Sequence, residues 1–194
     1  MRLCVFCGSS VGLNPSFAAA ASVLGAALAR RNIELVFGGG NVGLMGVVAD
    51  AALAAGGRVI GVIPHALVAR ELAHQGVTTL HVVNSMHERK ALMAELSDGF
   101  VALPGGFGTL EEFCEAVTWT QLGVHAKPCG LLNVDGFYDG LLAFLDHAMQ
   151  EQFLKPTHRD IVVHDRDPHS LLDGVLAWQP PLVMKWISKE LGQT

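Results

Sequence analysis

Short apolar runs recur along the chain, each followed by a polar or glycine-rich turn and then by a longer stretch in which apolar residues return every three or four positions. Continuous apolar runs predict strands buried on both faces, and the longer spacing predicts amphipathic helices. On this pattern strands are expected at residues 3–6, 33–37, 58–63, 77–83, 100–103, 128–133 and 161–164. Helices are expected at 15–31, from the turn at 38–46 through 55, at 85–96, 109–123 and 137–152, and from 168 onward. Repeated strand–helix units imply a parallel sheet covered on both sides, an α/β, Rossmann-like doubly wound fold of about seven strands.

A chain of 194 residues fits one domain, residues 1–194, large enough for a substantial core. Just over half of it, 51%, is hydrophobic and only 16% is charged, as suits an enzyme with an extensive buried sheet or subunit contact. The formal charge of −5 and the lack of any basic run argue against nucleic acid as a partner. The first strand starts almost at residue 1 with no signal-peptide pattern, and no run reaches the length of a membrane span, so a cytoplasmic protein is expected.

Cys4 and Cys7 form a CxxC, which invites a metal or redox reading. In a strand, however, residues three apart point to opposite faces, and no second CxxC follows. Cys4, Cys7, Cys114 and Cys129 are therefore expected to be buried free thiols. The nine histidines show no ligand spacing, and no metal is expected.

The richest stretch runs from Asp98 to Glu112, where an apolar strand stops at Pro104, turns through Gly105, Gly106 and Gly108, and opens a helix at Thr109. Amides at a helix start lack intrahelical partners and carry the positive end of the helix dipole, and glycines let that backbone approach an anion closely. This reads as a phosphate cradle at the carboxyl end of a strand, where doubly wound sheets bind ligands. Glu111 and Glu112 follow at once. Glu112 is either the far half of a capping box begun by Thr109 or a carboxylate placed for chemistry, and the spacing alone allows both. Gly38-Gly39-Gly40-Asn41-Val42-Gly43 imitates a dinucleotide fingerprint, but 60–64 supply no acidic residue for a ribose diol, so a nicotinamide enzyme is disfavoured.

On the 85–96 helix, Met86, Arg89, Met93 and Leu96 share one face. An arginine in a stripe meant for burial either has a buried partner, lines a site, or snorkels to the surface.

These segments carry a resemblance. Pro104-Gly105-Gly106-Phe107-Gly108-Thr109-Leu110-Glu111-Glu112 resembles the PGGxGTxxE signature of the LONELY GUY family, the cytokinin riboside 5'-monophosphate phosphoribohydrolases, once labelled lysine decarboxylases. Cys7-Gly8-Ser9-Ser10, Gly43-Leu44-Met45-Gly46, Met86-His87-Glu88-Arg89-Lys90 and Thr118-Trp119-Thr120-Gln121-Leu122-Gly123 resemble family segments in family order. The resemblance implies hydrolysis of the N-glycosidic bond of a nucleoside 5'-monophosphate such as AMP or its prenylated form, with no cofactor and in a homodimer. It implies Arg89 and Glu112 at catalytic positions. It implies Glu71, Lys90, Gly105, Gly106, Phe107, Gly108, Thr109, Leu110, Glu111 and Thr118 at nucleotide-binding positions. A non-catalytic nucleotide or molybdenum-cofactor carrier is the alternative, since related binding proteins use a similar glycine turn. A pyridoxal decarboxylase would need a Schiff-base lysine, and Lys90 is the one lysine of five beside the expected site.

Overall fold

The computed structural model describes residues 1–68 and 72–180. Its strands are β1 (Arg2–Phe6), β2 (Glu34–Phe37), β3 (Val59–Pro64), β4 (Thr79–Val83), β5 (Gly99–Ala102), β6 (Cys129–Leu132) and β7 (Val162–Asp165). The helices among the described residues are α1 (Pro15–Arg30), α2 (Gly43–Ala54), α3 (His65–Val68), α4 (Met86–Leu96), α5 (Phe107–Leu122), α6 (Asp139–Gln150), α7 (Pro156–Arg159) and α8 (Pro168–Ala177). Two short helices, α3 and α7, fall where the sequence pattern gave none, because four residues are too few to show a helical period.

All strand pairs are parallel, in the order β4-β3-β2-β1-β5-β6-β7. The expected seven-stranded doubly wound sheet is thus present. Side chains alternate across it. Leu3 and Val5 of β1, Leu35 and Phe37 of β2, and Val101 with Leu103 beside β5 face a layer made by α1, α2 and α8. Cys4, Phe6, Val36, Phe100 and Ala102 face the layer made by α4, α5 and α6. Burying each such large side chain contributes about 1.5–3 kcal/mol, which is why the central strands tolerate no polar residue. The alanine-rich α1 and α2 share one tight interface on the sheet: Ala21, Ala27, Ala49 and Ala52 are buried in the same layer, and a Cβ on Gly25 of α1 would lie 2.3 Å from the Val48 carbonyl oxygen of α2.

The cysteines follow the alternation. Cys4 lies in one layer and Cys7 in the other, and both are buried, as is Cys129. Cys114 departs from the expectation: it is exposed on the outer side of α5. Among the described residues no group of His, Cys, Asp or Glu is arranged to hold a metal ion, and no helix is long and apolar enough to cross a membrane.

The sheet order reverses between β1 and β5. At that switch point the loops leaving the two strands diverge to opposite sides and open a crevice at the carboxyl ends.

Candidate active site

Three turns meet in the crevice and are laced by backbone bonds. The Leu103 amide donates to the Phe6 carbonyl (2.9 Å), the Gly8 amide to the Pro104 carbonyl (3.0 Å), and the Leu44 amide at the start of α2 to the Gly8 carbonyl (3.0 Å). From below, the buried Tyr138 hydroxyl donates to the Leu103 carbonyl at 2.6 Å, fixing the end of β5 where the glycine turn begins. The result is a cleft of about 290 Å³ whose walls include Cys7, Gly8, Ser9, Gly38, Arg89, Gly106, Gly108, Thr109, Glu111 and Glu112.

The helix after the glycine turn starts earlier than the sequence suggested. Gly106, not Thr109, is the N-cap of α5, and it supplies no side-chain cap. The first α-helical bond there runs from the Leu110 amide to the Gly106 carbonyl (3.1 Å), so the amides of Phe107, Gly108 and Thr109 precede the intrahelical ladder. Thr109 is buried with its hydroxyl turned back under Gly105, where a Cβ on Gly105 would lie 2.1 Å from Thr109 Oγ1. Around Gly106 and Gly108, in contrast, nothing beyond the adjoining backbone comes within 4 Å of where a Cβ would be. Gly105 is required by packing against the protein, whereas Gly106 and Gly108 leave open backbone facing the cleft.

This start position removes the capping-box reading of Glu112. Glu112 is the sixth residue of α5, beyond the first turn, and its carboxylate is turned inward. Arg89 Nη1 donates to Glu112 Oε1 at 3.2 Å, with only 10% of the arginine side chain and 11% of the glutamate side chain exposed. Arg89 is also held by Nε donating to the Val62 carbonyl at 3.1 Å. Gly38 makes room for the guanidinium: a Cβ there would lie 1.8 Å from Arg89 Nη2. Burial raises the Glu112 carboxyl above its ordinary value; Arg89 opposes that rise and Glu111 adds to it. A charged, donor-rich arginine thus pairs directly with a carboxylate of enhanced basicity, in the cleft that also takes in the N-terminus of the helix bearing that carboxylate.

The remaining expected residues are not all in one place. Glu111 lines the cleft mouth. Lys90 is not part of the cleft wall; its ammonium pairs with Glu111 and with Glu115 Oε2 (3.1 Å). Leu110 packs on the core layer under α5. Thr118 lies three turns along α5, donates to the Cys114 carbonyl (2.7 Å), and borders a separate recess of about 170 Å³ with Leu141 and Leu145. Glu71 lies outside the described residues. Met86, expected in the buried stripe with Arg89 and Met93, is 47% exposed and lines the cleft, because it is the first residue of α4 and projects past the sheet end. Ser9, Gly38 and Met45 also line the cleft and were not singled out as site residues; the place of Ser9 and Gly38 just past β1 and β2, and of Met45 in the first turn of α2, was the available signal.

A family profile described as "Possible lysine decarboxylase" matches residues 45–175. A probable cytokinin riboside 5'-monophosphate phosphoribohydrolase of Oryza sativa subsp. japonica is 52% identical over 179 residues, covering 92% of this chain and 72% of the relative. A cytokinin riboside 5'-monophosphate phosphoribohydrolase of Arabidopsis thaliana is 56% identical over 162 residues, covering 84% of this chain and 75% of the relative. Among solved structures, the molybdenum cofactor binding protein of the phototrophic bacterium Rippkaea orientalis matches with a TM-score of 0.68 at 24% identity, over 89% of this chain and 93% of that one. At that identity the likeness concerns the fold alone.

Proposed function

The chain belongs to the LONELY GUY family of cytokinin riboside 5'-monophosphate phosphoribohydrolases, and we propose that it hydrolyses the N-glycosidic bond of a purine nucleoside 5'-monophosphate, releasing free base and ribose 5-phosphate. The observation that carries this reading is the buried Arg89–Glu112 pair, which lines the same cleft as the open start of the helix that bears Glu112. A passive carrier needs the cradle but has no use for a desolvated carboxylate one turn beyond it.

In the proposed reaction the 5'-phosphate rests on the amides of Phe107, Gly108 and Thr109, where unpaired N–H groups and the helix dipole stabilise an anion. That anchorage holds the ribose near Glu112 and lowers the entropic part of the barrier. As the C1'–N bond breaks, its electron pair leaves with the base, which takes a proton from solvent, and positive charge builds on the sugar ring. The Glu112 carboxylate stabilises that charge and accepts a proton from the water whose oxygen attacks C1'. Burial makes Glu112 a better base than a surface glutamate, while Arg89 keeps it ionised and aimed. Arg89 remains protonated throughout and so acts by charge and hydrogen bonding.

The decarboxylase label fits the residues poorly. A Schiff-base lysine must become a free amine, but Lys90 is engaged by two carboxylates and its ammonium is held above the usual lysine range, first by its hydrogen bond to Glu111. We further propose a homodimer, supported by large apolar side chains left exposed around α5 and α6, among them Leu122, Val124 and Phe144.

The test is incubation of the protein, without added cofactor, with AMP and with isopentenyladenosine 5'-monophosphate, followed by mass spectrometry of free base and ribose 5-phosphate. Both products are expected with wild type, and their release about 10²-fold or more slower with Glu112→Gln. Tight binding of the nucleotides with no cleavage would overturn the proposal in favour of a carrier.

A further inference from the structure

The two helices that bear Arg89 and Glu112 also bear a second ion-pair set one residue away. On α4 the neighbour of Arg89 is Lys90; on α5 the neighbours of Glu112 in space are Glu111 and, one turn on, Glu115. Three carboxylates within five residues of one helix repel one another, and Glu111 and Glu115 stand at the i, i+4 spacing where like charges destabilise. The two cations of α4 divide them. Arg89 turns inward to Glu112, and Lys90 spans Glu111 and Glu115 with only 14% of its side chain exposed.

We propose that Lys90 is a positioning residue: by bridging Glu111 and Glu115 it holds α4 against α5 and cancels the two carboxylates flanking Glu112, leaving Glu112 to face Arg89. Its consequence for turnover rests on the hydrolase reading above; its effect on Glu112 does not. The charged and titratable groups facing Glu112 are Arg89 and Lys90 from α4, Glu111 and Glu115 from its own helix, and the thiols of Cys4 in β1 and Cys7 just beyond it. Of these, Glu111 and Glu115 push the Glu112 carboxyl up and Lys90 pulls it down, so Lys90 acts on Glu112 both directly and by neutralising its neighbours.

The experiment compares wild type, Lys90→Met, Lys90→Arg, Glu115→Gln and the Lys90→Met/Glu115→Gln double variant. The Glu112 carboxyl is titrated by carbon-13 NMR in each, and kcat and KM are measured across pH with AMP. In Lys90→Met the Glu112 titration and the acid limb of kcat/KM should both move to higher pH. Its kcat should fall about 10-fold or more, the size expected when a catalytic group is held less well, with KM changed less than about 3-fold. Adding Glu115→Gln should bring the titration back toward wild type, and Lys90→Arg should retain wild-type behaviour. An unmoved Glu112 titration in Lys90→Met, or a KM raised 10-fold or more with kcat unchanged, overturns the proposal and makes Lys90 a direct substrate ligand. The NMR titration needs no turnover, so an inactive wild type with shifted titrations sinks the hydrolase reading alone.

Discussion

Arg89 reaches Glu112 across the gap between α4 and α5, 3.2 Å from guanidinium to carboxylate, at a point where both side chains are almost withdrawn from solvent. An ion pair so placed is a weak source of stability, because desolvation offsets most of its Coulomb energy, yet removing one partner leaves a charge stranded. Function is the better account of why the fold keeps it. Glu112→Gln preserves the acceptor for Arg89 and the shape of the wall while removing the charge. Turnover of AMP should fall by about 10²- to 10³-fold, with nucleotide affinity retained. Isothermal titration beside a product assay separates the two; equal losses of affinity and rate would assign Glu112 to binding.

Gly38 tests the same pair from the opposite side. A Cβ at this position would meet Arg89 Nη2 at 1.8 Å, with the sulfur of Met45 also near at 3.4 Å, so Gly38→Ala must displace the guanidinium. The expected result is loss of turnover by about 10²-fold or more, close to that of Arg89→Ala, with a stability cost of about 1–3 kcal/mol. Urea unfolding and steady-state kinetics check both. Near-normal turnover in Gly38→Ala would show that the guanidinium can move without consequence.

Much of this site was legible before the fold was known, and the parts that were not have specific causes. Arg89 announced itself by interrupting an apolar stripe, and the strand-to-glycine transitions located the cleft. The start of α5 was misplaced because Thr109 followed by Glu112 has the composition of a capping box, while the real cap, Gly106, acts through backbone shape that leaves no side-chain signature. Met86 was assigned to the core from helical spacing, which cannot register that a helix begins beyond the edge of the sheet. The sheet itself was readable since strands buried on both faces need uninterrupted apolar runs. The half-exposed edge strand β4 begins two residues later than the apolar pattern suggested, for the converse reason.

The raised Glu112 carboxyl makes a claim about stability as well as rate. Its folded-state pKa lies above the unfolded value, so its contribution to stability is fully present below the ordinary glutamate value of 4.5 and is lost as pH rises through the folded-state pKa. The ionised enzyme at neutral pH therefore carries a cost that the protonated one does not. Glu112→Gln should flatten this part of the stability profile, gaining relative to wild type as pH rises from about 4 to 7. Parallel denaturant titrations across that range measure it, and the same rise should set the acid limb of wild-type kcat/KM. A wild-type profile that climbs with pH more steeply than the variant's would reverse the sign and refute the assignment.

The glycines of the cradle divide by what lies behind them, and the division predicts opposite phenotypes for the same substitution. At Gly105 a methyl group would strike Thr109 Oγ1 at 2.1 Å and the Gly8 amide nitrogen at 2.9 Å, both parts of the laced turns. Gly105→Ala should lower stability by about 2 kcal/mol or more and lose activity through the fold. At Gly108 the methyl group would meet nothing within 4 Å beyond the adjoining backbone, and the residue sits in the first turn of α5, where alanine is the better helix former by up to about 1 kcal/mol. Gly108→Ala should therefore keep or raise the melting temperature while, on the proposed phosphate placement, increasing KM for AMP, since the residue lines the cleft. The unphosphorylated nucleoside supplies the control: if Gly108 serves phosphate, the variant should weaken inhibition by ribose 5-phosphate and leave weak inhibition by adenosine unchanged. Equal loss for both inhibitors would place the phosphate elsewhere and reduce the open glycines to a matter of backbone geometry.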